Sequence, residues 1–159
     1  MLSALGVVLL YVGAFIEVVD ISMAVIASLL CVVAVIEYGK GAPWTVFAVT
    51  AILSLLLLPN KSPALMYTLF FGYYPILKER FERLKKGISW LCKELVFNVA
   101  LVLIFAASKY LLAESADFQI GLYIIGAVLA EALFILYDIA LTRLISFYIY
   151  KLRNRLGFK

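Results

Sequence analysis

The side chains best suited to chemistry in this chain are a few charged residues inside long apolar segments. Glu131 and Asp138 lie seven residues apart, so both occupy one face of a helix. A charge inside a bilayer costs roughly 2.5–3.5 kcal/mol on insertion scales, so each such residue needs a partner or a purpose. Glu94 and Arg143 lie at similar distances from one membrane surface, and Asp138 lies near them. We therefore predict an intramembrane ion pair between Glu94 and Arg143, with Asp138 neutralised beside it.

Glu131 is the strongest candidate for binding a solute. It lies about 16 Å from the outer end of its segment, at a rise of 1.5 Å per residue. A carboxylate at that depth either faces a solute or is satisfied inside the protein, and both interpretations stay open. We predict a substrate site formed by Glu131, Lys109, Tyr67 and Asn60. For Tyr67, packing in the core is the competing prediction.

Residue types exclude several kinds of site. The chain has no His, and its two Cys residues, Cys31 and Cys92, lie apart in apolar segments. This pattern predicts neither a metal site nor a disulfide. Nucleophile-elbow, P-loop and dinucleotide-binding motifs do not occur. Glu131 and Asp138 would lie about 10 Å apart, too far for two acids acting at one depth. We therefore expect no catalytic residues, no cofactor and no enzyme activity, with an intramembrane lipid-processing enzyme as the weakest alternative.

The amino-acid composition predicts that most of the chain is surrounded by lipid and not by water. The chain of 159 residues is 66% hydrophobic and 15% charged, with a mean hydropathy of +1.09. A soluble domain is about half apolar and about a quarter charged. The net charge of +4 could suggest nucleic acid, but in membrane proteins basic residues concentrate in cytoplasmic loops. We predict a bilayer-embedded protein with no nucleic-acid partner. Because no basic residue precedes Lys40, a signal peptide is not expected.

Six apolar segments predict an all-α, polytopic integral membrane bundle, a single transmembrane domain over residues 1–159. A span needs about 20 residues, so four spans are the alternative if the first two pairs are re-entrant. With the N-terminus inside, ten basic residues fall in inner loops and one in an outer loop, so both termini are predicted to be cytoplasmic. The predicted helices are approximately 2–19, 21–37, 43–58, 63–84, 88–113 and 118–150.

The fourth predicted helix has two special features. Gly72 and Pro75 in its inner half favour a kink or a close helix contact. Leu77, Phe81, Leu84 and Ile88 then continue at helical spacing, which predicts an amphipathic extension beyond the membrane. Its basic residues, Arg80 and Arg83 among them, either face lipid headgroups or dock a partner.

The layout resembles the substrate-binding S component of energy-coupling factor (ECF) transporters along essentially the whole chain. The resemblance rests on six short helices, on the inner turn Tyr38-Gly39-Lys40-Gly41-Ala42-Pro43, and on the small residues Ser3-Ala4-Leu5-Gly6. It implies capture of a small vitamin-like solute from outside, with a transmembrane coupling protein and ATPase subunits as partners. It also implies docking through Ala4 and Gly6. The expected location is the cytoplasmic membrane of a prokaryote.

A second resemblance gives the alternative function. The chain is similar in size and layout to the membrane protein of the rod-shape (Mre) complex, which also has short helices and a Gly-rich inner turn. It implies a non-catalytic assembly scaffold, in which membrane-embedded polar residues serve helix association and basic surfaces meet partners. Stabilisation by a solute would distinguish the transport subunit from the scaffold.

Overall fold

In a computed structural model of the chain, the described backbone covers residues 1–39, 41–111 and 120–152. Side chains are described for these residues except 17, 108–111, 120–124 and 151–152. The described part is helical and contains no strand, which confirms the predicted all-α class. Its α-helices are α1 (Leu2–Phe15), α2 (Asp20–Tyr38), α3 (Ala42–Leu57), α4 (Ser62–Met66), α5 (Tyr74–Phe81), α6 (Lys86–Leu111) and α7 (Ile120–Phe147). A 3-10 turn spans Glu17–Val19, and π-helical turns span Tyr67–Phe71 and Tyr148–Leu152.

Three helical segments of the described part are long and apolar enough to cross a membrane: Asp20–Tyr38, Lys86–Ala107 and Ile125–Tyr150. Two more apolar helices, Leu2–Phe15 and Ala42–Leu57, have 14 and 16 residues. At 1.5 Å per residue these two reach about 21 and 24 Å, against a hydrocarbon core of about 30 Å. The helices are those of a membrane-associated protein, whereas the six-span topology stays a prediction.

The chain divides into two compact units, Met1–Glu114 and Ser115–Lys159. In the first, α1 packs against α2 and α3 through small residues. A Cβ added at Gly6 would lie 3.0 Å from Thr50 Cγ2, and one at Gly13 would lie 2.9 Å from Met23 Cβ. Five small residues of α2 are also buried, namely Ala24, Ala27, Ser28, Cys31 and Ala34. Close approach of small residues is how helices associate where lipid supplies no hydrophobic driving force.

The connections fix these helices at their ends. The first predicted helix was expected to reach residue 19, but α1 ends at Phe15 and the 3-10 turn leads into α2. Asp20 then joins two parts of the first unit, since its Oδ2 accepts a hydrogen bond from Ser62 Oγ at 2.9 Å. After α3, Lys61 Nζ donates to the carbonyl oxygens of Leu55 and Leu58, at 2.8 and 2.6 Å. The Leu55 carbonyl belongs to the last turn of α3, which lacks intrahelical donors, and Leu58 is the residue that follows the helix.

The fourth predicted helix, 63–84, is interrupted. It comprises α4, the π-helical turn and α5, and it ends at Phe81, with Leu84 in the turn before α6. The predicted amphipathic extension to residue 84 is therefore shorter than expected. Pro75 explains the break, because its ring nitrogen cannot donate to a carbonyl one turn earlier.

The described part of the second unit consists of α7 and the π-helical turn after it. Phe134, Asp138 and Leu141 are buried along α7 at spacings of four and three, and Glu131 on the same stripe is partly buried. The predicted common face of Glu131 and Asp138 is thus present. On the same helix Thr142 Oγ1 donates to the Asp138 carbonyl oxygen at 2.8 Å. Such bonds satisfy hydroxyl groups without leaving the helix.

Candidate functional site

The π-helical turn Tyr67–Phe71 is the centre of the candidate site. Its characteristic bond runs from the Gly72 N–H to the Tyr67 carbonyl oxygen at 2.7 Å. The chain resumes as α-helix at Tyr74, one residue before Pro75. A π-helical turn inserts one extra residue into the helix, and such turns occur frequently at functional sites. Local sequence thus produces an irregular backbone inside a segment predicted to cross the membrane.

Gly72 allows this turn to form against α3. A Cβ at Gly72 would lie 2.6 Å from Phe47 Cδ2 and 2.8 Å from Tyr67 Cε1, closer than real carbon atoms approach. The Phe47 ring centroid lies 6.1 Å from that of Tyr67 and 6.0 Å from that of Tyr73. These separations are typical of interacting aromatic rings. The absence of a side chain at residue 72 therefore lets an aromatic cluster close over the turn.

Tyr67, a predicted substrate-site residue, lies in the core with 1% of its surface exposed. Its hydroxyl lies 3.1 Å from Cys31 Sγ on α2, within hydrogen-bonding distance for a sulfur atom. Residues flanking it along the broken helix are also buried, including Ala64, Phe70 and Tyr74. Tyr67 therefore lies where the competing prediction, packing in the core, would place it. Its hydroxyl group holds the π-helical turn to α2.

Thr68, the next residue in the turn, was missed by sequence reasoning. Its Oγ1 atom is buried and has no hydrogen-bond partner among the residues that the structure describes. Other hydroxyl groups in helices do find backbone acceptors: Thr45 Oγ1 bonds to the Ala42 carbonyl oxygen and Thr142 Oγ1 to that of Asp138, both at 2.8 Å. Leaving a buried hydroxyl unsatisfied costs about 1–3 kcal/mol. Such an atom marks a position where a bound polar group would be stabilising.

Asn60, another predicted substrate-site residue, shapes the chain just before α4. Its Oδ1 accepts a hydrogen bond from the Ser62 N–H at 3.0 Å, and the residue is partly exposed. A side-chain acceptor two residues before a backbone donor is a common turn-forming contact. Asn60 and Tyr67 thus belong to the same broken segment, at its entrance and in its π-helical turn.

The other two predicted substrate-site residues are not brought to this turn by the described geometry. The Lys109 side chain lies outside the described residues. Glu131 belongs to the second unit, where its Oε2 atom is buried. The four-residue site of Glu131, Lys109, Tyr67 and Asn60 stays a prediction.

The predicted ion pair also spans the two units. Glu94 is a partly buried residue of α6, Arg143 is an exposed residue of α7, and Asp138 is buried on α7. The pairing of Glu94 with Arg143 and Asp138 therefore stays a prediction. Within the first unit, Glu82 Oε1 lies 3.1 Å from Lys78 Nζ and 3.8 Å from Lys93 Nζ.

Lys78 differs from the sequence-based expectation. The sequence placed it in the charged inner loop, but its side chain is fully buried on α5, and Lys93 on α6 has a side-chain exposure of 8%. The signal was available, because Lys78 follows the buried Tyr74 by four residues and continues the same helical stripe. Glu82, at 43% exposure, provides a carboxylate for both lysines. This cluster fixes the α5–α6 turn.

The predicted docking residues separate into exposed and buried positions. Ala4 is exposed, but Gly6 is buried against Thr50 of α3, so the two do not form one accessible face. Arg80 and Arg83 are both exposed, and Arg83 forms an ion pair with Glu79 one turn earlier. Ala4 and the two arginines are thus accessible and docking through them stays a prediction, whereas Gly6 serves internal helix packing.

Similarity to known proteins adds no further constraint. No protein-family model, no curated protein and no solved structure matches this chain. Among the described residues, no group of three or more His, Cys, Asp or Glu side chains is placed to hold a metal ion. The interrupted helix with Thr68 is consequently the feature on which a functional proposal can be based.

Proposed function

We propose that this chain is a multi-pass protein of a prokaryotic cytoplasmic membrane and the solute-binding subunit of an ECF-type transporter. It captures a small vitamin-like solute from outside and passes it to a coupling protein driven by ATPase subunits. The observation that carries the proposal is the interrupted fourth segment, with the buried hydroxyl of Thr68 in its π-helical turn. The resemblance in layout to S components supports the type of transporter.

The physical basis is the behaviour of broken helices in lipid. Irregular backbone is tolerated at membrane depth only where it is enclosed by protein or lines a cavity. Secondary transporters often place solute sites at discontinuous helices. Here the discontinuity comes with an aromatic cluster and with Thr68, whose hydroxyl can donate or accept one more hydrogen bond. We infer a solute that offers an aromatic or apolar body and at least one polar group to this turn.

A scaffold similar to the Mre membrane subunit is the second candidate. It is favoured because two predicted site residues already form hydrogen bonds within the chain. Tyr67 bonds with Cys31, and Asn60 accepts a bond from the Ser62 N–H. In a scaffold such contacts serve only to hold helices together. The two candidates differ in what they predict for Thr68, because a scaffold has no use for an unsatisfied hydroxyl.

Thermal unfolding of the purified full-length protein in lipid nanodiscs, with a panel of vitamins and metabolites, tests the proposal. We expect at least one solute to raise the melting temperature, and Thr68→Val to reduce its affinity by about tenfold, the equivalent of one hydrogen bond of about 1.4 kcal/mol. Thr45→Val is the matched control, because the Thr45 hydroxyl bonds to its own helix.

Copurification gives the second readout. Recovery of ATPase subunits with the tagged chain from its native membrane would support the transport proposal. If no solute shifts the melting temperature and only structural membrane proteins copurify, the scaffold is correct. Equal loss of solute affinity in Thr68→Val and Thr45→Val would remove Thr68 from the site.

A further inference from the structure

The segment from the end of α5 to the start of α6 concentrates positive charge. Residues 78–86, named here the basic turn, contain five basic and two acidic side chains in nine positions. Four of the basic residues are exposed: Arg80, Arg83, Lys85 and Lys86. The fifth, Lys78, points into the protein and is fully buried. The exposed basic groups therefore form a surface at one end of the helices.

Neither acidic residue of the basic turn neutralises that whole surface. Glu82 is bound from the buried side by Lys78 and, more distantly, by Lys93. Glu79 pairs with Arg83 along α5. Arg80, Lys85 and Lys86 are thus left to give the exposed surface its positive charge, and an anionic partner would complement it.

Large apolar side chains flank these charges. Leu84, Ile88, Trp90 and Leu91 are 47%, 54%, 46% and 67% exposed. Trp beside Lys and Arg is characteristic of the level where headgroups meet hydrocarbon. The 26 residues of α6 reach about 39 Å, longer than a hydrocarbon core of about 30 Å, so an end of α6 extends into the headgroup region. A partner at this level has both an anionic and an apolar part.

We propose that the basic turn binds the headgroup of an anionic phospholipid through Arg80, Lys85 and Lys86, with Trp90 and its apolar neighbours against the acyl chains. Apolar side chains interleaved with the charges favour a lipid over an acidic protein segment, because a phospholipid satisfies both in one molecule. This inference rests on the membrane insertion in the proposed function but not on any solute.

Native mass spectrometry of the full-length protein, incubated with equal amounts of phosphatidylglycerol and phosphatidylcholine, tests the inference. We expect the protein to retain more phosphatidylglycerol than phosphatidylcholine. In the triple variant Arg80→Gln, Lys85→Gln, Lys86→Gln, the ratio of the two retained lipids should fall by about fivefold or more. The preference should also weaken as ionic strength rises, because the charges are exposed.

The matched control neutralises Arg153, Arg155 and Lys159, three basic residues of the C-terminal tail that lie outside the described residues. This variant has the same net charge as the first and should keep the preference. Equal retention of both lipids by the wild type, or an equal loss in both variants, would overturn the inference.

Displacement by inorganic phosphate at constant ionic strength would instead assign the surface to a free anion. A solute-induced shift in melting temperature, measured on the same variants, keeps this outcome separate from that of the proposed function.

Discussion

At the scale of single residues, the π-helical turn depends on one position without a side chain and one hydroxyl without a partner. Gly72 lets the Phe47 ring approach the backbone, and Thr68 Oγ1, four residues earlier in the chain, is buried without a hydrogen-bond partner among the described residues. The first feature stabilises the fold through packing, whereas the second costs stability. Residues that lower stability and make no compensating contact within the fold are the ones expected at functional sites.

Thr68→Val should therefore stabilise the protein. The substitution keeps the branched shape and removes the unsatisfied hydroxyl, so we expect a gain of about 1 kcal/mol in the free energy of unfolding. Urea or thermal unfolding without added solute measures it. Thr142→Val, which removes a satisfied hydroxyl, is the comparison and should cause no such gain. A marked loss of stability in Thr68→Val would show that the hydroxyl has a structural partner.

Gly72→Ala should destabilise the protein by about 1–3 kcal/mol, because the new methyl group would overlap the rings of Phe47 and Tyr67. Adding Phe47→Leu should recover part of the loss, and a double-mutant cycle gives the coupling between the two positions. Gly87→Ala is the control, since a Cβ there meets nothing within 4 Å. That variant should be neutral or gain up to about 1 kcal/mol from helix propensity. Equal effects at the two glycines would contradict the proposed packing.

At the scale of elements, the sequence predicts where helices exist better than where they end. Apolar segments correctly predicted the main helices, because composition alone determines what can lie in lipid. Helix ends depend on specific contacts instead: α1 stops four residues early at a 3-10 turn, and the fourth segment breaks at Pro75. The Gly72–Pro75 pair did predict an irregularity there. The partner of Tyr67 could not be predicted, because its hydrogen bond to Cys31, 36 residues away, requires the fold.

The α5–α6 turn gives a prediction at this scale. Glu82→Gln should lower the free energy of unfolding by about 1–2 kcal/mol, because the buried Lys78 and Lys93 would lose a carboxylate, although the exposure of Glu82 weakens the effect. Glu79→Gln is the matched control, since its partner Arg83 is exposed and surface pairs contribute about 0–1 kcal/mol. Thermal unfolding of the two variants side by side provides the measurement. A larger loss in Glu79→Gln would contradict the assignment of the buried cluster.

At the scale of the whole molecule, the short helices determine which topology is possible. A six-span arrangement requires α1, at 14 residues, to cross a bilayer that is locally thin or to be extended by the residues around it. In the four-span alternative, the first two pairs of helices are re-entrant, α1 with α2 being the first of them. The two arrangements place the 3-10 turn Glu17–Val19 differently, either at the outer surface or inside the membrane. The basic turn lies on the cytoplasmic side in both.

Labelling of single cysteines in intact cells decides between these topologies. In a background of Cys31→Ser and Cys92→Ala, Val18→Cys and Leu84→Cys introduce thiols at positions that are 93% and 47% exposed. For six spans with both termini inside, a membrane-impermeant maleimide should label Val18→Cys in intact cells. It should label Leu84→Cys only after permeabilisation, because the basic residues around Leu84 keep the basic turn on the cytoplasmic side. Failure to label Val18→Cys before or after permeabilisation would support the re-entrant pair. Labelling of Leu84→Cys in intact cells would show the opposite orientation of the chain. The basic turn would then lie against the outer leaflet.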